Sequence, residues 1–364
     1  MIPLFKVAMN DQAEKAVGEV LRSGYIGEGE KVRSFTARCA SELQNQYVVP
    51  TNSCTAALTI ALKLAGIGPG KTVISTPMTC LATNLAIIDL GARIIWADVA
   101  PDTGNIAVES VRRILKTASF VDAIMCVHWA GYPCDMDALH RLAWDKGILV
   151  IEDAAHAWGS TINGYPVGNS SDMACFSFQA IKHLTTGDGG LLSCTDRYRY
   201  GQARLMKWFG LDRDLSPDMR CNQDPPVLGL KYHMNDVAAA IGLANFDMAK
   251  ANVLCAQRTA QEYYEAFKGL SRVGIPVYDP DRASSFWLCP IFVSNPTDFC
   301  AYMRNKGISV SQVHARNDKK QLFTQFSTDL PGVDAFCSKQ TNIPAGWWLS
   351  EDDKDKIIDA VRSY

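Results

Sequence analysis

Between residues 47 and 195, short apolar, β-branched runs alternate with helical patterns, and this alternation limits the fold more than any other feature. The runs are TVIST (72–76), ARIIWADV (92–99), DAIMCVHW (122–129), GILVIED (147–153), MACFSF (173–178) and GGLLSC (189–194), preceded by YVVP (47–50). Helical patterns separate several of them, at residues 53–65, 107–115 and 136–146. Apolar strands interleaved with helices are buried on both faces, which predicts an α/β fold with a mainly parallel sheet. Residues 1–46 read as helix with a turn at 23–27, and residues 236–268 as one long helix. Then come SSFWLCPIFVS, a helix near 297–306, GISVSQV and a closing helix from about 350, which together predict a smaller α/β unit. A chain of 364 residues suits two domains. We expect a large domain at 1–245 and a small C-terminal domain at 246–364, with the Gly/Pro-containing stretch 269–283 as a linker or loop.

Composition narrows the class. The AVILMFWYC set makes up 48% of the chain, enough for a sizeable core, and the net charge of −2 offers no chain-wide basic surface for nucleic acid. No apolar stretch approaches the ~18 residues of a membrane span. The start, MIPLFKVAMNDQAEKAV, meets acid and base before a signal-peptide core can form. The twelve cysteines include no CxxC, their closest pair being Cys126 and Cys134, and the six histidines are scattered. No metal site is expected, and the thiols read as small buried hydrophobes of a soluble, cytoplasmic protein.

Three segments carry candidate chemistry, and in open α/β sheets such groups gather beyond the carboxyl ends of the strands. Ser53, followed by Cys54 and Thr55, opens a helix directly after YVVP. A capped helix start offers free N–H groups and a favourable dipole to a phosphate, the alternative being a plain N-cap, since most capped helices bind nothing. Asp153 ends the apolar run GILVI, where a carboxylate can pair with a protonated ring nitrogen or simply cap the next element. Lys182 follows strand FSF in the glycine-rich segment QAIKHLTTGDGG. A lysine beside a cleft can bond a carbonyl if its amine is partly neutral, whereas most lysines are solvated surface residues. Together the three are the parts that hold pyridoxal 5'-phosphate: a phosphate cradle, an acid for the pyridine nitrogen and an amine for the aldehyde.

With these motifs in view, the sequence resembles the DegT/DnrJ/EryC1/StrS family of sugar aminotransferases nearly end to end. The likeness rests on LRSGYIGEGEKVRSFTARCASEL (21–43), SCTAALTIAL, EDAAHAWGS, FSFQAIKHLTTGDGG and KYHMNDVAAAIG (231–242). It implies the pyridoxal-phosphate transferase fold type I and a homodimer with composite active sites. It also implies transfer of an amino group from an amino acid such as L-glutamate to a keto sugar, in nucleotide-sugar and lipopolysaccharide chemistry. Lys182 would be the Schiff-base lysine and Asp153 the partner of the pyridinium, with His156 against the cofactor ring. Ser53, Cys54, Thr55 and Ser177 would hold the phosphate, joined by Lys231 from the second subunit.

Two departures stand out: Cys80 occupies a position where the family often stacks an aromatic ring on the cofactor, and Lys231 replaces the usual Asn. VHWAGYPCDMDAL, VHARNDKKQLF and IPAGWWL resemble the branch of perosamine-synthase-like enzymes and of an aminotransferase acting on an octulosonate. On that resemblance His314, Arg316 and Asn317 are candidate substrate residues, a surface loop being the alternative. Lys207 and Arg213, in KWFGLDRD, are candidate phosphate partners of a sugar nucleotide. Trp347 and Trp348 read as packing residues. The same scaffold supports sugar dehydratases, which carry histidine in place of the lysine, and a non-catalytic regulator that binds the cofactor; Lys182 and Asp153 favour transamination over both.

Overall fold

The structure, a computed structural model, describes residues 1–169, 171–215 and 222–364. Among the described residues nine strands precede the long helix: β1 (Val48–Thr51), β2 (Thr72–Ser75), β3 (Arg93–Trp96), β4 (Ala123–Val127), β5 (Leu149–Asp153), β6 (Thr161–Ile162), β7 (Tyr165–Pro166), β8 (Met173–Ser177) and β9 (Gly190–Cys194). Seven form one sheet in the order β1-β9-β8-β5-β4-β2-β3. Neighbours from β3 to β8 are parallel, and β9 alone runs against the rest. Every residue of β4, β8 and β9 is buried, as the unbroken apolar runs require of strands covered on both faces.

Helices α1 (Gln12–Ser23) and α2 (Glu30–Glu42) pack against the long helix Asp236–Phe267, whose N-cap Asn235 accepts from the Ala238 N–H. Helix α3 (Cys54–Leu64) lies against β8 and β9 and is capped by Ser53. The long helix contributes Ala239, Phe246 and Ala249 to the apolar cluster beneath α2. Its last turns place Ala260, Tyr263 and Phe267 in a separate C-terminal cluster with Phe299, Ile357 and, from the other end of the chain, Ile2. The strands there are β10 (Val273–Gly274), β12 (Cys289–Val293) and β13 (Gln340–Ile343), while β11 (Arg282–Ala283) pairs with β6.

The structure departs from the sequence pattern in two places that matter for the site. SSFWLCPIFVS is strand only over Cys289–Val293, because Phe286 takes φ +51° and turns the chain just before it. GISVSQV makes isolated bridges, Ile2 to Ile308 and Ser311 to Asn342, in place of a strand, and Val313 at φ +65° ends the extended run beside His314. Bulky residues in this left-handed region are uncommon and are held there by their surroundings. Of the eleven described cysteines seven are buried as expected, whereas Cys80 is exposed; Cys221 lies outside the described residues. No described helix is long and apolar enough to cross a membrane.

Candidate active site

The carboxyl ends of β1, β5 and β8 and the start of β9 meet at one edge of the sheet, around a cavity of about 340 Å³. Ser53, Cys54, Thr55, Asp153, His156, Ser177, Lys182 and His314 line it. Eight sequence-predicted site residues thus converge from four segments of the chain. Ser53, extended at φ −165°, accepts the Ala56 N–H at 3.1 Å. The N–H groups of Cys54 and Thr55 belong to the first turn, which no helical carbonyl reaches, so an anion in the cavity is their natural acceptor. The Ser177 hydroxyl, at the end of β8, accepts the Gln179 N–H at 3.4 Å.

Asp153 and Glu152 end β5 on opposite faces, as successive strand residues must. Glu152 points away from the cavity into a fully buried pair with His128, Oε2 to Nε2 2.7 Å. His128 Nδ1 accepts the Cys134 N–H at 3.0 Å, so its proton sits on Nε2 and is donated to Glu152. Asp153 lines the cavity. Its Oδ2 accepts the Thr83 hydroxyl at 2.6 Å and its Oδ1 the Ala155 N–H at 3.1 Å. Burial raises its pKa, opposed by those two bonds and by the charge of Lys182. A positive group arriving in the cavity finds this carboxylate held in place by both oxygens.

Lys182 extends from the loop after β8, and burial pulls its amine down to about 8, against the attraction of Asp153. At pH 7 about a tenth of such an amine is neutral, enough to attack a carbonyl. Its Nζ lies 3.5 Å from the ring centroid of Trp287. His156 stacks on the same indole, with centroids 3.9 Å apart and planes 18° apart. Burial, with the Lys182 charge, pushes His156 well below the usual histidine range, and burial pushes His314 down to about 4. Both rings are therefore neutral near pH 7. The Nδ1 of His156 and the Nε2 of His314 are buried without a hydrogen-bond partner, two polar atoms left for a ligand.

The remaining candidates lie elsewhere. Lys231 is exposed at the rim, outside the cavity lining, and its carbonyl accepts from Asn52 Nδ2 at 3.4 Å. Lys207 and Arg213 both pair with Glu28, Arg213 at 3.4 Å, in a separate cavity of about 370 Å³. Arg316 is gripped by Asp318, at 2.8 and 2.7 Å, and by Asp334. Asn317 is fully buried behind the wall, donating to the Thr79 carbonyl at 2.9 Å and accepting from Asn84 at 2.9 Å. Trp348 donates to the Pro3 carbonyl at 3.0 Å, a packing role, and Trp347 lies under Lys6. Cys80 lines the cavity, and the one indole there is Trp287. Sequence reasoning missed Trp287, hidden inside a segment read as strand, and Thr83, a small polar residue in a stretch without periodicity.

An anion seat at a helix start, a strand-end carboxylate for a pyridine nitrogen and a lysine of lowered pKa fit pyridoxal phosphate, and the unpartnered His156 nitrogen leaves polar capacity for it. Fold and site define a pyridoxal-phosphate-dependent transaminase of fold type I. The chain belongs to the DegT/DnrJ/EryC1/StrS aminotransferase family, which it matches over residues 7–362. It is similar to AtS13 of Actinomadura melliaura, with 38% identity, a TM-score of 0.96 and coverage of 100% of this chain and 99% of that one. It is also similar to the sugar aminotransferase CalS13 of Micromonospora echinospora, with 34% identity, a TM-score of 0.95 and full coverage of both chains. The spore coat polysaccharide biosynthesis protein SpsC of Bacillus subtilis is 31% identical, covering 95% of this chain and 92% of that protein.

Proposed function

We propose that this sugar aminotransferase moves an amino group from L-glutamate to a nucleotide-linked keto sugar, in amino-sugar synthesis for surface polysaccharide. The reading is carried by Lys182, an amine lowered to about 8 in a cavity shared with Asp153 and the open start of α3. The polysaccharide context is supported by the name of the Bacillus relative, and the sugar acceptor by that of the Micromonospora enzyme. A nucleotide carrier is supported by Lys207 and Arg213, which share Glu28 in a cavity set apart from the lysine cavity and would exchange that carboxylate for a phosphate.

Pyridoxal phosphate, when bound, supplies an electron sink that lets an amino acid lose its Cα proton. The chain's own residues do the rest. Ser53, the Cys54 and Thr55 N–H groups and Ser177 would hold the phosphate. Asp153 would hold a proton on the ring nitrogen, itself steadied by Thr83 and the Ala155 N–H. Lys182 is the covalent anchor and, once released, the base that carries the Cα proton. Neutral His156 presents a ring face without adding positive charge.

Three further assignments belong to the same reading. Lys231, exposed beside Asn52 at the start of α3 yet absent from its own cavity lining, suits a second subunit's phosphate in a homodimer with composite sites. The free thiols suit a reducing, cytoplasmic compartment. We keep the expected division at 245/246 within the long helix; Phe246 and Ala249, just past it, still pack with the large-domain cluster, and Ala260, Tyr263 and Phe267 join the C-terminal one.

The test is to load purified protein with pyridoxal phosphate and follow its visible absorbance while amino acids are added. We expect L-glutamate to discharge the band and to yield 2-oxoglutarate, and the discharged protein to aminate a nucleotide-linked keto sugar detected by mass spectrometry. Failure of every amino acid would remove the donor half of the reading. Amination of free keto sugars alone would remove the nucleotide, and loss of water without amine transfer would make the enzyme a dehydratase.

A further inference from the structure

The indole of Trp287 meets Lys182 at both ends. Its Nε1–H donates to the Ile181 carbonyl at 3.0 Å, fixing the backbone from which the lysine springs, and its face meets Nζ at 3.5 Å. The same ring stacks on His156 at 3.9 Å. His314 lies 5.3 Å from His156 and 6.1 Å from Trp287, so the three centroids form a triangle with nearly a right angle at His156. Trp287 therefore covers one face of His156, and the His314 ring lies nearly parallel to His156, with planes 5° apart. The segment that brings Trp287 is itself tied to the site: the Ser285 hydroxyl donates to the His156 carbonyl at 2.9 Å, and His183 Nε2 bonds the Ser285 carbonyl at 2.9 Å.

We propose that Trp287 is the positioning residue of Lys182, its indole face holding the amine in the cavity whenever that amine is not bonded to the cofactor. The inference rests on the transaminase reading, because only a lysine released in every turnover needs a place to wait. Among the described residues Lys182 forms no ion pair, so the indole face is the group in contact with its charge. An ammonium over an indole is attracted by the negative ring face, and more strongly where water is scarce. The ionisable groups that face the amine are Asp153, Asp188, Cys54, Cys80, His156 and His314. Asp153 is already engaged by Thr83 and Ala155, and both imidazoles are neutral. A lysine docked on Trp287 keeps its reach, where one free to swing outward would lose it.

The test compares Trp287→Leu with Trp287→Phe. In cofactor-free protein the Lys182 amine is titrated by NMR of ¹³C-labelled lysine, the signal being assigned through Lys182→Ala. Leucine keeps the site apolar but removes the ring face, so the midpoint is expected to fall by about half a unit or more, and phenylalanine to restore most of it. In loaded protein we expect the leucine variant to slow the glutamate half-reaction ~10-fold or more and the phenylalanine variant to slow it less, with cofactor affinity within about threefold of wild type in both. An unmoved midpoint in Trp287→Leu overturns the proposal. So does a phenylalanine variant as impaired as the leucine one, which would leave only the Ile181 hydrogen bond. The titration needs no turnover: if the wild type reacts with no amino acid, the donor reading falls while the docking of the amine is still decided by the midpoint.

Discussion

A Cβ on Gly190 would stand 2.4 Å from the carbonyl carbon and oxygen of Ser53, and 2.5 Å from the amide nitrogen of Cys54. The first residue of β9 thus packs backbone to backbone against the start of α3, where the phosphate is to sit. Only glycine allows that approach, and neither neighbour can yield without moving the helix start.

Gly190→Ala is therefore expected to weaken cofactor binding more than it disturbs the fold. Overpacking of this kind costs about 1–3 kcal/mol. Here the displacement falls on the N–H groups assigned to the phosphate, so we expect about a tenfold or greater rise in the cofactor's Kd. Fluorescence titration gives the affinity and far-UV circular dichroism the fold. An alanine variant binding like wild type would show that the α3 start is not the phosphate seat.

How much of this was legible beforehand depends on what each residue does locally. The strands of the large sheet read clearly because burial on both faces leaves them almost purely apolar. Strand β13 did not read, because its residues QTNI include Gln340, Thr341 and Asn342, all fully buried and all polar. The side-chain amides of Gln340 and Asn342 donate outside the strand, to the carbonyls of Gln312 and Ser311, and Asn342 Oδ1 is buried without a partner. Helix α4 (Leu81–Asp89) was hidden because its buried face includes the polar Thr83 and Asn84. In the site, Ser53, Asp153 and Lys182 could be found because each sits where a strand pattern ends. Trp287 and His314 are delivered by left-handed residues, Phe286 and Val313, and no sequence pattern announces those.

The lowered amine of Lys182 makes cofactor-free stability depend on pH. Its folded pKa of about 8 lies below the ordinary 10.5, so between those values the unfolded chain binds the extra proton. Low pH thus favours unfolding through this group, and its penalty fades as pH rises from 8 towards 10.5. Lys182→Met removes the penalty. We expect the cofactor-free methionine variant to be more stable than wild type at pH 7, with the difference shrinking by pH 10. Urea midpoints across that range decide it; a constant difference would mean that Lys182 titrates like an exposed lysine.

Lys231 allows a test of shared active sites. In a composite dimer, one subunit carrying Lys182→Ala and the other Lys231→Ala would contain one site with both defects and one intact site. Equal mixing makes half the dimers mixed, so about a quarter of all sites should regain activity. The mixture is assayed at a cofactor concentration too low to load Lys231→Ala alone. No recovery, after exchange of subunits is verified by mass spectrometry, would place Lys231 in service of its own subunit or of none.

Asp153 separates a transaminase from a scaffold that merely holds the cofactor. Each unit by which its charge raises the pKa of a bound ring nitrogen corresponds to about 1.4 kcal/mol, available only while the carboxylate is ionised. Asp153→Asn keeps the shape and removes the charge, and the Thr83 hydroxyl can turn to accept from the new amide. We expect this variant to fold and to retain most of its cofactor, but to slow the glutamate half-reaction ~100-fold or more. Thr83→Val is the graded counterpart. Burial already raises the Asp153 pKa, and losing the 2.6 Å bond from Thr83 raises it further. Because the ionised form is the useful one, activity should then fail at a higher pH as the solution is acidified. The measurement is kcat/KM against pH for wild type and Thr83→Val: an acid limb displaced upward is expected. If that limb is unmoved and Asp153→Asn converts as fast as wild type, then Asp153 only closes the end of β5 and some other group must protonate the ring.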